Sequence, residues 1–147
     1  MTTIYHQVGI RAALSDVYRA IATTDGVDHW WTRTSGNPAP GGDLEFSFDK
    51  VSVIAKVTAN EPDHYVEWTV GGEQGEWLNT RICFRLDAQD DQVMVNFEHT
   101  GWREPTEMLA HCSTKWAVFL LSLKEYLETG SGKPYPRDVH INHTVFN

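Results

Sequence analysis

Two cysteines in 147 residues, Cys83 and Cys112, are too few and too isolated for a disulfide scaffold or a Cys-rich zinc site. Basic runs are absent. The 12 Lys and Arg stand against 20 Asp and Glu, a formal charge of −8. Nucleic acid and anionic membrane surfaces both require clustered cations, so neither is an expected partner. No apolar run is long enough to span a bilayer. The N-terminal stretch MTTIYHQVGIRA has no basic head followed by an apolar core, so no signal peptide is expected and the cytoplasm is the expected location. Asn142-His143-Thr144 matches a glycosylation acceptor, which has no meaning without secretion. Gly71-Gly72 and Gly75 lack the strand-then-helix setting and the lysine of a phosphate loop, and read as a hairpin turn. Repeats and low-complexity segments are absent as well.

What is present is apolar and aromatic. Hydrophobic residues make up 41%, and there are six tryptophans. A chain of this length forms one domain that buries about 70% of its unfolded surface.

The chain is organised around its last long helix, expected over Pro105 to Glu128. Pro105 suits a first helical position, Glu107 favours the positive end of the helix dipole, and Gly130 is the natural stop. Met108, Cys112, Phe119, Leu123 and Tyr126 form one apolar stripe, and Leu109, Trp116, Leu120 and Leu127 form another. Two stripes imply burial around much of the circumference. Such a helix is roughly 36 Å long. A compact chain of this size has a radius of gyration of roughly 15 Å, so the helix crosses the whole molecule and the rest must wrap it.

Ile4, His6, Val8 and Ile10 alternate as a strand. Two short helices follow, at Ala12 to Ala22 and around Asp25 to Trp30. After a short strand near Trp31 to Ser35 and a loop from Thr34 to Gly42 come five more strands. Their inward faces are Leu44, Phe46 and Phe48; Val51, Val53, Ala55 and Val57; Val66, Trp68 and Val70; Leu78 through Leu86; and Val93, Val95, Phe97 and His99. Alternation with a polar face marks an antiparallel sheet wet on one side. The expected class is α+β: one curved antiparallel sheet wrapped around the long C-terminal helix, with two short helices after the first strand. Residues 1–130 form the single domain, and 131–147 an irregular C-terminal tail along the surface. The first strand, near a sheet edge, is available to pair across a homodimer.

The order of elements resembles the helix-grip fold of the START-like (SRPBCC, polyketide-cyclase-like) superfamily. More specifically, the chain resembles the family named for the C-terminal domain of the activator of the ninety-kilodalton heat-shock protein ATPase. The residues that carry the resemblance are Ala13-Leu14-Ser15-Asp16-Val17-Tyr18, Trp30-Trp31, His99-Thr100-Gly101-Trp102, and Trp116 to Gly130 ending Leu127-Glu128-Thr129-Gly130. They span about Thr3 to Gly130. The resemblance implies a hydrophobic cavity and, across the superfamily, binding of lipids, hormones or polyketide-like molecules. Some members are enzymes.

The leading expectation is therefore a small hydrophobic or aromatic ligand between sheet and long helix. Its expected wall is Trp31, Phe46, Trp68, Phe84, Phe97, His99, Met108, Cys112 and Trp116, with Trp31 at the mouth. Rings suit a flat apolar ligand, although each ring alone is equally a core residue. His99 is either a ligand-facing donor or acid-base group, or a core histidine partnered by a backbone group or by Trp102. Cys112 on an apolar stripe reads as a small buried hydrophobe. Asp25, Asp28 and His29 read as caps, and His140 with His143 as a solvated tail, so no metal ligand is assigned and no cofactor is expected. Two alternatives stand beside ligand binding. One is a cyclase, isomerase or hydrolase using His99. The other is a stress-related, co-chaperone-like interaction module acting through its outer surface.

Overall fold

Seven strands run in the order β1-β7-β6-β5-β4-β3-β2, every neighbouring pair antiparallel. The structure, a computed structural model, describes residues 1–144; the last three positions of the expected 131–147 tail lie outside the described residues. The strands are β1 (Thr2–Ile10), β2 (Arg33–Gly36), β3 (Asp43–Phe48), β4 (Val51–Glu61), β5 (Tyr65–Val70), β6 (Arg81–Gln89) and β7 (Gln92–Trp102). Helices α1 (Leu14–Ala22) and α2 (Thr24–Asp28) follow β1, and α3 (Glu107–Thr129) closes the chain. This is the α+β helix-grip arrangement: a meander from β2 to β7, joined at its far side by β1, curved against one long helix. No helix among the described residues is long and apolar enough to cross a membrane.

Alternation fixes the inward face. Val93, Val95, Phe97 and His99 are buried in turn along β7, and Val66, Trp68 and Val70 along β5. The fully exposed residues of helix α3, Glu107, Ala110, Thr114, Leu121, Glu128 and Thr129, lie along one side, and the others are buried or half-buried. Burial around most of its circumference is what two apolar stripes demand.

Helix starts differ from the sequence expectation: α1 begins at Leu14 rather than Ala12, without a side-chain cap, and the other two shift where threonines cap. Helix α3 begins two residues later than Pro105, because Thr106 is the cap: its Oγ1 accepts from Leu109 N at 3.2 Å. Helix α2 starts early for the same reason, with Thr23 Oγ1 accepting from Gly26 N at 3.0 Å. Gly130 ends α3 at φ 91°, a left-handed conformation open to glycine. The strand expected from Leu78 starts only at Arg81. A 3-10 turn, Gly75–Trp77, and Asn79 at φ 68° occupy its place, leaving Leu78 exposed. On β4, Val51 is exposed and Val53 half-buried, because the β3–β4 hairpin projects past the core.

The tail is irregular but packed. Lys133 N donates to Ser122 Oγ at 2.7 Å, and Tyr135 N to Trp31 O at 2.7 Å. Gly132 passes so near α2 and α3 that a Cβ would stand 2.5 Å from His29 O. Asp25, Asp28 and His29 serve local structure: Asp28 Oδ1 accepts from Thr34 N, and His29 Nδ1 meets Asp25 O.

Candidate functional site

Most of the space between the sheet and the middle of α3 is filled. Trp31, Trp68, Phe84, Phe97 and Trp116 form a closed circuit of rings, with successive centroids 5.9, 5.1, 5.3, 4.6 and 4.8 Å apart. Phe46 leans on Trp31 at 4.5 Å and on Trp68 at 4.9 Å. All six are at most 2% exposed. Rings this large reach across the sheet and meet, so the gap inferred from the sequence closes here.

Open volume lies to one side of that circuit. A groove of about 900 Å³ runs between the first half of α3 and the β3–β4 hairpin. Its floor is Trp31, Trp116, Phe119 and Cys112. One wall is the hairpin from Phe48 to Val53, and the opposite one is Gln74 to Trp77. Met108, His111 and Lys115 contribute from α3, and Tyr135, Pro136, Asp138 and His140 close it from the tail. Tyr135 packs edge-on against Phe48 at 5.3 Å.

Of the nine residues expected at the wall, Trp31, Met108, Cys112 and Trp116 line this groove. Phe46, Trp68, Phe84, Phe97 and His99 do not; they lie in the packed interior. Trp31 is floor rather than mouth. The groove residues not anticipated include Phe48 to Val53 of the hairpin, Gln74 to Trp77, His111, Lys115, Phe119 and the tail residues. One signal was readable: Lys115 interrupts the apolar steps from Cys112 to Phe119. The tail offered none, since an irregular segment has no periodicity to announce that Tyr135 meets Phe48 or that Asp138 meets Lys115.

His99 has both ring nitrogens occupied. Trp116 Nε1 donates to His99 Nδ1 at 3.0 Å. Thr80 Oγ1 donates to Trp77 O at 2.5 Å, so at the 2.8 Å contact with His99 Nε2 it is the acceptor. The network fixes the neutral tautomer with its proton on Nε2. Burial pushes the imidazole pKa down to about 3. The partners are therefore Thr80 and Trp116, not a backbone group or Trp102. Trp102 stacks edge-on at 5.0 Å, and its own indole N–H has no acceptor among the described residues. A fully bonded neutral imidazole cannot exchange protons with a ligand near neutrality, which removes His99 as an acid or base.

Cys112 does face the groove, with its Sγ accepting from Trp77 Nε1 at 3.4 Å. Burial pushes the thiol up to about 11, and the Trp77 bond offsets this only in part. It is a thiol, not a thiolate, at ordinary pH. The floor is mostly ring and carbon: the Trp116 indole N–H is spent on His99, and that of Trp77, on the wall, on Cys112 Sγ.

This arrangement of sheet, helix and residues has relatives. The model of the activator of Hsp90 ATPase homolog 1-like proteins matches residues 11–128. The chain belongs to that family. Within the wider fold, it is similar to the Aha1 dimer from Colwellia psychrerythraea, solved in solution, with 41% identity over 90% of this chain and 100% of that one and a TM-score of 0.83. CalU16 from Micromonospora echinospora is 18% identical over 97% of this chain and 75% of its own, with a TM-score of 0.79. DynU16, a protein of the dynemicin biosynthetic locus, is 20% identical over 88% of this chain and 48% of its own, with a TM-score of 0.78. At these identities the last two likenesses show the fold alone. No curated protein matches the chain.

Proposed function

We propose that this family member binds a small hydrophobic or aromatic molecule in the groove between the β3–β4 hairpin and α3. The observation that carries the reading is the groove itself: about 900 Å³ left open beside an interior packed to closure. That is the size of a small-molecule site, and such sites are lined mainly by apolar and aromatic groups. Burial of ligand surface supplies affinity at about 25 cal/mol per Å² before ordering costs.

The test is a titration with the neutral dye N-phenylnaphthylamine, read by dye emission and by the rise in melting temperature. Wild type should bind, and Met108→Trp, which fills the groove from α3, should not. Equal binding by both proteins would reject the site. Native mass spectrometry of freshly purified protein reads a retained molecule and the oligomeric state together. A homodimer is the second reading, favoured by the dimer of the 41% identical relative. Strand β1 is the outer strand available for it. Its far end is blunted, since Lys124 Nζ bonds Gly9 O at 2.9 Å and Glu128 Oε2 accepts from Arg11 N at 2.9 Å.

A further inference from the structure

Lys115 is at odds with its surroundings. It follows Cys112 and precedes Phe119 on the face of α3 that lines the groove. Its ammonium stands 5.2 Å from the centre of the Phe119 ring. A cation over a ring face is itself favourable, and one held partly away from water is stabilised further by an anion beside it. The anion comes from the chain's own tail. Asp138 Oδ2 bonds Lys115 Nζ, and Val139 O accepts from the same nitrogen at 3.3 Å. The two side chains are 22% and 5% exposed, the least of any ion pair among the described residues.

We propose that Lys115 is an anion subsite on the groove wall, that Asp138 is its built-in occupant, and that the ligand is an apolar molecule carrying one carboxylate. This rests on the groove being a ligand site. The floor of Trp31, Trp116, Phe119 and Cys112 takes an apolar body, the Trp116 indole N–H being spent on His99. Among the described residues two lysines line the groove, exposed Lys50 on the hairpin and part-buried Lys115 between Cys112 and Phe119, and Lys115 is the one set against the floor. A ligand carboxylate that takes the place of Asp138 makes the same charge-assisted bond, so the exchange loses little. The strap around Asp138 is freed, while the bonds of Lys133 N and Tyr135 N hold its root and the contacts of His143 with His111 and of Thr144 with Glu107 hold its far end. Ligand binding and release of this strap are one equilibrium.

The experiment uses the full chain, with dodecanoate and dodecanol competing against N-phenylnaphthylamine. Asp138→Asn removes the competing carboxylate, so dodecanoate should bind that variant about tenfold more tightly than wild type, the scale of one charge-assisted bond. Dodecanol should bind both alike. Lys115→Met should erase the preference for the carboxylate, and Lys115→Arg should keep it, with near-UV circular dichroism confirming that each variant is folded. In wild type, hydrogen exchange over 136–144 should quicken with dodecanoate and not with dodecanol. Normal dye binding with no carboxylate preference in wild type or Asp138→Asn would overturn this inference and leave the groove reading intact. A wild type that binds neither dye nor amphiphile would overturn both.

Discussion

Acid should unfold this protein through His99. The imidazole is buried and bonded on both sides in its neutral form, which holds its pKa at about 3 against an unfolded value of about 6.5. Between those values the unfolded chain binds one proton more than the folded one. Stability therefore rises with pH through that window, is fully present above the unfolded value, and drains away as pH falls toward the folded one. Each pH unit inside the window is worth about 1.4 kcal/mol, so lowering pH from 7 to 4 should remove about 3 kcal/mol. That is a large share of the roughly 5–15 kcal/mol by which domains are stable. His99→Gln is the control, since glutamine cannot be charged but keeps a donor and an acceptor. Urea unfolding of both proteins at pH 7, 5.5 and 4 gives the difference, in which the other titrating groups cancel. The gap should shift by about 3 kcal/mol in favour of the variant on acidification. Parallel curves would refute the assignment of a neutral, doubly bonded imidazole.

Two further outcomes follow from the geometry. Cys112 should stay unreactive toward a disulfide reagent in the folded protein at pH 8, and labelling as fast as in urea would contradict its raised pKa of about 11. Gly132→Ala should loosen the tail, because the new Cβ would meet His29 O at 2.5 Å. Limited proteolysis should then cut the tail first, at a melting temperature a few degrees below wild type, and an unchanged digestion pattern would argue against the close packing.

The architecture was legible because its signals are local and periodic. The two stripes on α3, the Val93-Val95-Phe97-His99 alternation and the Gly130 stop each state an orientation that the fold then obeys. Helix starts were misplaced by a residue or two where Thr106 and Thr23 capped in preference to their neighbours. The candidate site was less legible. Facing inward and facing a cavity have the same periodicity, so Phe84 and Phe97 could not be told apart from Trp116. Which rings meet and which leave room depends on the third dimension of packing. The tail's part in the groove rests on side chains of an irregular segment, Tyr135 on Phe48 and Asp138 on Lys115, and no periodicity announces such contacts.

The ring circuit also sets what light will report. All six tryptophans belong to one chain of neighbours: Trp30, Trp68 and Trp116 each touch Trp31, Trp116 leads to Trp77, and Trp77 to Trp102, with no centroid step longer than 6.4 Å. Excitation of one indole will migrate among the others before it is emitted. The intrinsic fluorescence is therefore that of a single array, and a quencher seated against Trp77 will darken emission from indoles it never touches. Trp31 and Trp68, stacked within 4° of parallel, should add an exciton couplet whose loss marks the first loosening of the interior.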